Sequence, residues 1–140
     1  MAQVRILQIK EQVIRLNNEV SISKGVSVQI GVAPVLLVND KDDTFALRLQ
    51  IVYKTSEDIV LIDYAMLTIF CVDNWKKEIN TIDGTRSIVN NEHLKRAMDL
   101  CVGCVRGALS VRTMNTKLEG TYLPDLPIEN ILSDLEIKHV

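Results

Sequence analysis

Residues 59–72 read Ile-Val-Leu-Ile-Asp-Tyr-Ala-Met-Leu-Thr-Ile-Phe-Cys-Val. Laid out as a β-strand, successive side chains go to opposite faces. Val60, Ile62, Tyr64, Met66, Thr68 and Phe70 then share one face. Ile59, Leu61, Asp63, Ala65, Leu67, Ile69 and Cys71 share the other. Both faces are largely apolar, so both must be covered. The run falls short of the roughly 18–20 apolar residues of a membrane helix, and Asp63 interrupts it.

The stretch just before it shows the clearest strand pattern. Phe45, Leu47, Leu49, Ile51 and Tyr53 alternate with Ala46, Arg48, Gln50, Val52 and Lys54. Thr55-Ser56-Glu57-Asp58 joins the two runs as a short hairpin loop. Further upstream, residues 25–38 are rich in Val and Ile, and Val26, Val28, Ile30 and Val32 fall on one strand face. Pro34 removes a ladder donor there, which predicts a bend, a bulge or an edge position. Residues 39–43, Asn-Asp-Lys-Asp-Asp, form a polar turn.

The second half reads differently. Residues 73–90 are polar, contain Gly84 and read as a loop. Asn90 or Asn91 caps a helix starting near Glu92. Leu94, Ala97, Met98, Cys101, Val102, Val105 and Leu109 form a stripe at helical spacing. Residues 110–127 read as irregular because of Gly120, Pro124 and Pro127. A short last helix is expected over residues 128–137, burying Ile128, Ile131, Leu132 and Leu135. At the other end, Ile6, Ile9, Val13, Leu16 and Val20 have helical spacing. Val4-Arg5-Ile6 and Ile14-Arg15-Leu16 alternate like strand segments with a bulge between them, so periodicity leaves this segment open.

Strands followed by helices predict a single α+β domain, an antiparallel sheet with helices on one face. Two helices cover one sheet face. The apolar character of the other face in residues 59–72 calls for a second subunit.

Composition narrows the functional classes. The chain has 140 residues, enough for one domain with a real core. It is 47% hydrophobic but only 4% aromatic, so the core is aliphatic. A net charge of −2 with mixed signs provides no global field toward nucleic acid or an anionic membrane. The beginning lacks the pattern of a secretory signal. Three cysteines without framework spacing suit a reducing compartment, so the expected location is the cytoplasm.

No motif carries a convincing chemistry. Cys101-Val102-Gly103-Cys104 has CxxC spacing but lies mid-helix, away from the N-terminal dipole that activates such pairs. A zinc site needs two more ligands, and Cys71, His93 and His139 are scattered. Buried thiols are the expectation, with a redox or metal role as the alternative. His93 and His139 have no Ser or Cys nucleophile nearby and read as surface residues. Asp40, Asp42 and Asp43 lack the central Gly and final Glu of a calcium loop and read as a solvated turn. Lys76, Lys77, Arg106, Arg112 and Lys117 lack interleaved aromatics, which argues against nucleic-acid binding. No enzyme, cofactor or metal is expected.

The chain resembles the SecB family of export chaperones over nearly its whole length. Val4, Ile6, Ile9, Ile14 and Leu16 fall in that family's first-strand pattern, which favours strand over helix there. The paired runs 45–53 and 60–72 match its long hairpin in length and order. Thr68-Ile69-Phe70-Cys71-Val72 is similar to its Gly-Ile-Phe-Ser-Ile, Arg106-Gly107 to the Arg-Gly closing its long helix, and residues 126–132 to its Leu-x-Pro-Val-Asn-Phe. The resemblance implies a four-stranded antiparallel sheet with two helices, assembled as a dimer of dimers. It implies a holdase for unfolded or nascent polypeptide.

By the same resemblance, Ile62, Tyr64 and Met66 bear on client binding and assembly, and Leu61 and Asp63 on docking a translocase motor. Val13 and Asn17 stand where the family has acidic docking residues. The family's acidic tail is missing and residues 110–122 depart from its pattern. These departures weaken motor docking more than client binding and suit another duty, such as guarding an antitoxin. The rival reading is a non-catalytic adaptor or structural subunit for one folded partner.

Overall fold

Alternation in the central strands organises the molecule. The computed structural model describes residues 3–19, 27–39, 42–75, 79–82, 85–88, 92–121 and 123–139. In chain order the elements are β1 (Arg5–Leu16), β2 (Val28–Val38), β3 (Thr44–Thr55), β4 (Val60–Cys71), β5 (Ile79–Ile82), β6 (Thr85–Ile88), α1 (Glu92–Arg112), α2 (Ile128–Ser133) and β7 (Glu136–His139).

β1 to β4 and β7 form one sheet in the order β1-β4-β3-β2-β7, and β5 and β6 form a separate hairpin. On β3, Phe45, Leu47, Leu49, Ile51 and Tyr53 are buried while Ala46, Arg48, Gln50 and Val52 are half-buried. The register sets Phe70, Thr68, Met66, Tyr64 and Ile62 opposite those five, so one face of β3 and β4 is a continuous buried surface.

Local chemistry fixes that register. Between β3 and β4, Asp58 takes a left-handed φ of 61°, a conformation that Asp tolerates better than most residues. Thr55 Oγ1 accepts hydrogen bonds from the Glu57 and Ile59 amides at 3.3 and 3.2 Å. A register shift follows, so Val60 pairs with Lys54 and is exposed, departing from the core face that simple alternation gives it.

The buried stripe of α1 is the expected one: Leu94, Ala97, Met98, Cys101, Val102, Val105 and Leu109. It joins the sheet residues in a single core with Ile131 of α2. Both helices thus serve the same sheet face. Phe45 stacks between Phe70 and Trp75, at ring-centroid distances of 5.3 and 4.1 Å, and closes one end of the core.

The sheet is five-stranded and mixed, which corrects the expectation of four antiparallel strands. β7 pairs parallel to β2, Val35 opposite Glu136 through Val38 opposite His139. The last helix accordingly ends at Ser133 instead of running to 137. The physical reason is the open outer edge of β2, whose unpaired backbone groups outcompete another helical turn. Pro34 sits just before the first residue of β2 that has a second partner, which accords with its missing donor.

Three further expectations change. Residues 73–90 are not wholly loop, because β5 and β6 pair as a hairpin. α1 does not close at Arg106-Gly107 but continues to Arg112. A single glycine costs a helix only about 1 kcal/mol, and burial of Leu109 beyond it favours the extra turn. The open N-terminal segment resolves to strand over Arg5–Leu16: β1 pairs with β4, with register shifts between Ile6 and Gln8 and between Glu11 and Val13. Val26, Asp40, Lys76, Lys77, Gly84 and the capping candidates Asn90 and Asn91 lie outside the described residues.

Candidate polypeptide-binding surfaces

β1 stands at the sheet edge with β4 on one side and no strand of the described residues on the other. Its register places Ile6, Ile9, Glu11, Ile14 and Leu16 on the helix-facing side of the sheet, opposite Phe70, Thr68, Met66, Tyr64 and Ile62. Yet Ile6, Ile9 and Ile14 are 38%, 44% and 40% exposed. The core cluster reaches β3 and β4 but leaves these isoleucines largely uncovered. Leu7, at the first register shift, is also exposed.

One polar device interrupts this apolar edge. Glu11 accepts from Arg112 Nη2 at 2.6 Å and Arg112 Nε at 3.2 Å. The Tyr64 hydroxyl donates to the same carboxylate at 2.7 Å. These hydrogen bonds, with Arg112 first, hold the Glu11 carboxyl below the usual carboxylate range. Burial and the same carboxylate push the Tyr64 phenol upward. Val111 and Met114, flanking Arg112 in the chain, are exposed.

The residues singled out by resemblance fall elsewhere. Ile62, Tyr64 and Met66 face α1 and are 0%, 0% and 4% exposed. They belong to the buried core of the chain. The apolar surface on that side belongs to β1, one strand further out. Leu61 is buried as well. Asp63 is half-buried on the opposite face, where Gln50 Nε2 donates to it at 2.9 Å. Val13 pairs with Ala65, and the Asn17 amide donates to the Leu61 carbonyl at 2.9 Å. Sequence reading missed the exposed isoleucines because their spacing is that of a buried face.

Other candidates are placed as follows. Cys71, Cys101 and Cys104 are free. Burial pushes the Cys101 thiol up to about 12, so it stays protonated and unreactive near neutrality. Asp42 Oδ1 accepts from the Thr44 amide at 3.0 Å and from the Thr44 hydroxyl, which makes it a turn residue. His93 is half-buried on α1, and His139 ends β7. Arg106 donates to the carbonyls of Leu123 and Pro124, each at 3.1 Å. Among the described residues, no group of three His, Cys, Asp or Glu is placed to hold a metal ion. No helix among them is long and apolar enough to cross a membrane.

No protein-family model matches the chain, and no curated protein does. Among solved structures, the chain is similar to a Mycobacterium tuberculosis SecB-like chaperone in complex with a ChAD peptide from the HigA1 antitoxin. The identity is 14%, the match covers 90% of each chain and the TM-score is 0.49.

Proposed function

We propose that this protein is a SecB-like holdase, a non-catalytic chaperone that keeps extended polypeptide out of aggregates and acts as a homo-oligomer. The observation that carries the reading is β1. Among the described residues it is a 12-residue edge strand with no strand on its outer side, and Ile6, Ile9 and Ile14 are exposed along it. A long, exposed apolar edge is costly to a soluble protein unless association is its use. An extended chain or a second copy of β1 adds main-chain hydrogen bonds at such an edge, and alternate apolar side chains are buried next to it. Both are independent of sequence detail, as a holdase requires. The family resemblance of the sequence points the same way. An antitoxin segment is a suitable client because it need only be extended and partly apolar. Three free cysteines fit a reducing cytoplasm.

Light scattering of a chemically denatured client, diluted with stoichiometric protein, tests the reading. The wild type should suppress aggregation. The variant Ile6→Lys/Ile9→Lys/Ile14→Lys should not, while keeping its circular dichroism spectrum. A wild type that leaves generic clients to aggregate but binds one folded partner is an adaptor instead.

A further inference from the structure

The sheet face opposite the helices is basic. Register places Arg5, Lys10 and Arg15 of β1 on this face with Cys71, Leu67 and Asp63 of β4. Arg48 and Lys54 of β3 join them. Lys138 of β7 does too, but it pairs with Glu136 at 3.8 Å. The strands thus carry six basic side chains here against two acidic ones, Asp63 and Glu136, in a chain whose net charge is −2. Arg48 and Asp63 are tied into one polar rung. Arg48 donates to Gln12 at 2.8 Å and to Gln50 at 3.1 Å, and Gln50 donates to Asp63. Between the cations the floor is aliphatic. A depression of about 220 Å³ is lined mainly by Leu37, Ala46, Leu67 and Ile69. No described helix packs on this side, and Lys10, Arg15 and Lys54 are exposed.

We propose that this face docks an acidic polypeptide segment in which carboxylates alternate with aliphatic residues. Strand-spaced carboxylates meet Arg5, Lys10, Arg15 and Lys54, and the aliphatic side chains settle between them on Leu67, Ile69 and Ala46. Charge decides among possible occupants. Two copies of this face meeting each other bring like charges together, which is unfavourable. Nucleic acid gains its affinity for single strands from aromatic stacking, and the sheet's aromatics Phe45, Tyr53, Tyr64 and Phe70 all belong to the buried face. An acidic, apolar segment satisfies both the cations and the floor. The sign is opposite to that of the acidic docking positions implied for Val13 and Asn17.

Fluorescence anisotropy with a labelled synthetic peptide alternating Glu and Leu, its Lys–Leu counterpart and a single-stranded oligonucleotide tests this. The Glu–Leu peptide should bind, and affinity should fall about tenfold as salt is raised enough to screen exposed charges. Lys10→Glu/Arg15→Glu/Lys54→Glu should weaken it by about tenfold or more. Should the triple variant not fold, Lys54→Glu alone and the salt series on wild type decide. The proposal is overturned if neither peptide binds, if the Lys–Leu peptide binds equally well, if charge reversal leaves affinity unchanged, or if the oligonucleotide binds more tightly than the Glu–Leu peptide. The holdase assay reads the apolar edge of β1 on the other side, so either proposal can fail alone.

Discussion

Glu11 and Arg112, 101 residues apart in sequence, are joined by two hydrogen bonds, the shorter of 2.6 Å. The bond ties the open edge strand to the last residue of α1. It sits between Ile9 and Ile14, so a charged contact within that apolar edge also attaches the strand to the helix layer. The bulge between Glu11 and Val13 makes this possible, because it keeps Glu11 on the helix side.

The clamp should be sensitive to acid. The folded-state value for Glu11 is depressed. Its contribution is therefore complete above the usual carboxylate range and is lost as pH falls through the lower native value. Urea titrations of wild type and Glu11→Gln should differ at neutral pH and converge in acid. A constant difference at all pH values would show that the charge is irrelevant. Glu11→Gln should also raise hydrogen exchange along β1.

Gly103 and Gly107 lie within α1, and a Cβ added at either meets nothing within 4 Å. Replacing each with Ala removes backbone entropy from the unfolded chain and should stabilise by roughly 0.4–1 kcal/mol per site. Thermal melts of the single and double variants check this. A fall in melting temperature would overturn this entropic account.

Thiol reactivity should follow burial. Cys71 and Cys104 are half-buried, whereas Cys101 is buried with its thiol pushed up to about 12. A thiol-specific reagent should label Cys71 and Cys104 first and reach Cys101 only on unfolding. Because the native value is raised, Cys101 leaves stability untouched below the ordinary thiol range. Stability falls as pH climbs from that range toward 12. Mass spectrometry of partly labelled protein decides the order.

Arg106 holds the segment after α1 through the Leu123 and Pro124 carbonyls. Hydrogen bonds from a charged donor are worth more than neutral ones, but this side chain is 39% exposed. Arg106→Ala should therefore cost only about 1 kcal/mol. It should raise hydrogen exchange near Leu123 while leaving the sheet protected. Arg106→Lys cannot reproduce the two-pronged donation and should behave similarly.

Period-2 and period-3.6 patterns are local properties, and they were enough to place β3, β4 and the buried stripe of α1 from the sequence. They were also enough to show that β4 is apolar on both faces. Patterns could not say which apolar positions end up covered. Ile62, Tyr64 and Met66 look no different from Ile6, Ile9 and Ile14 as strings. The first set lies in the core under α1 and the second lies beyond it at the edge. Only the position of the helix over the sheet separates them.

The same holds at the C-terminal end. Residues 136–139 follow the short α2 closely, and the open edge of β2 recruits them as a strand. The basic sheet face is legible only after register aligns cations from separate strands that the linear net charge of −2 conceals. The sequence alone therefore determined β3, β4 and the buried stripe of α1, because their alternation follows from backbone geometry and side-chain hydrophobicity within a few residues. Tertiary structure alone decided exposure, edge pairing and the sign of each surface, because these depend on contacts between residues far apart in the chain.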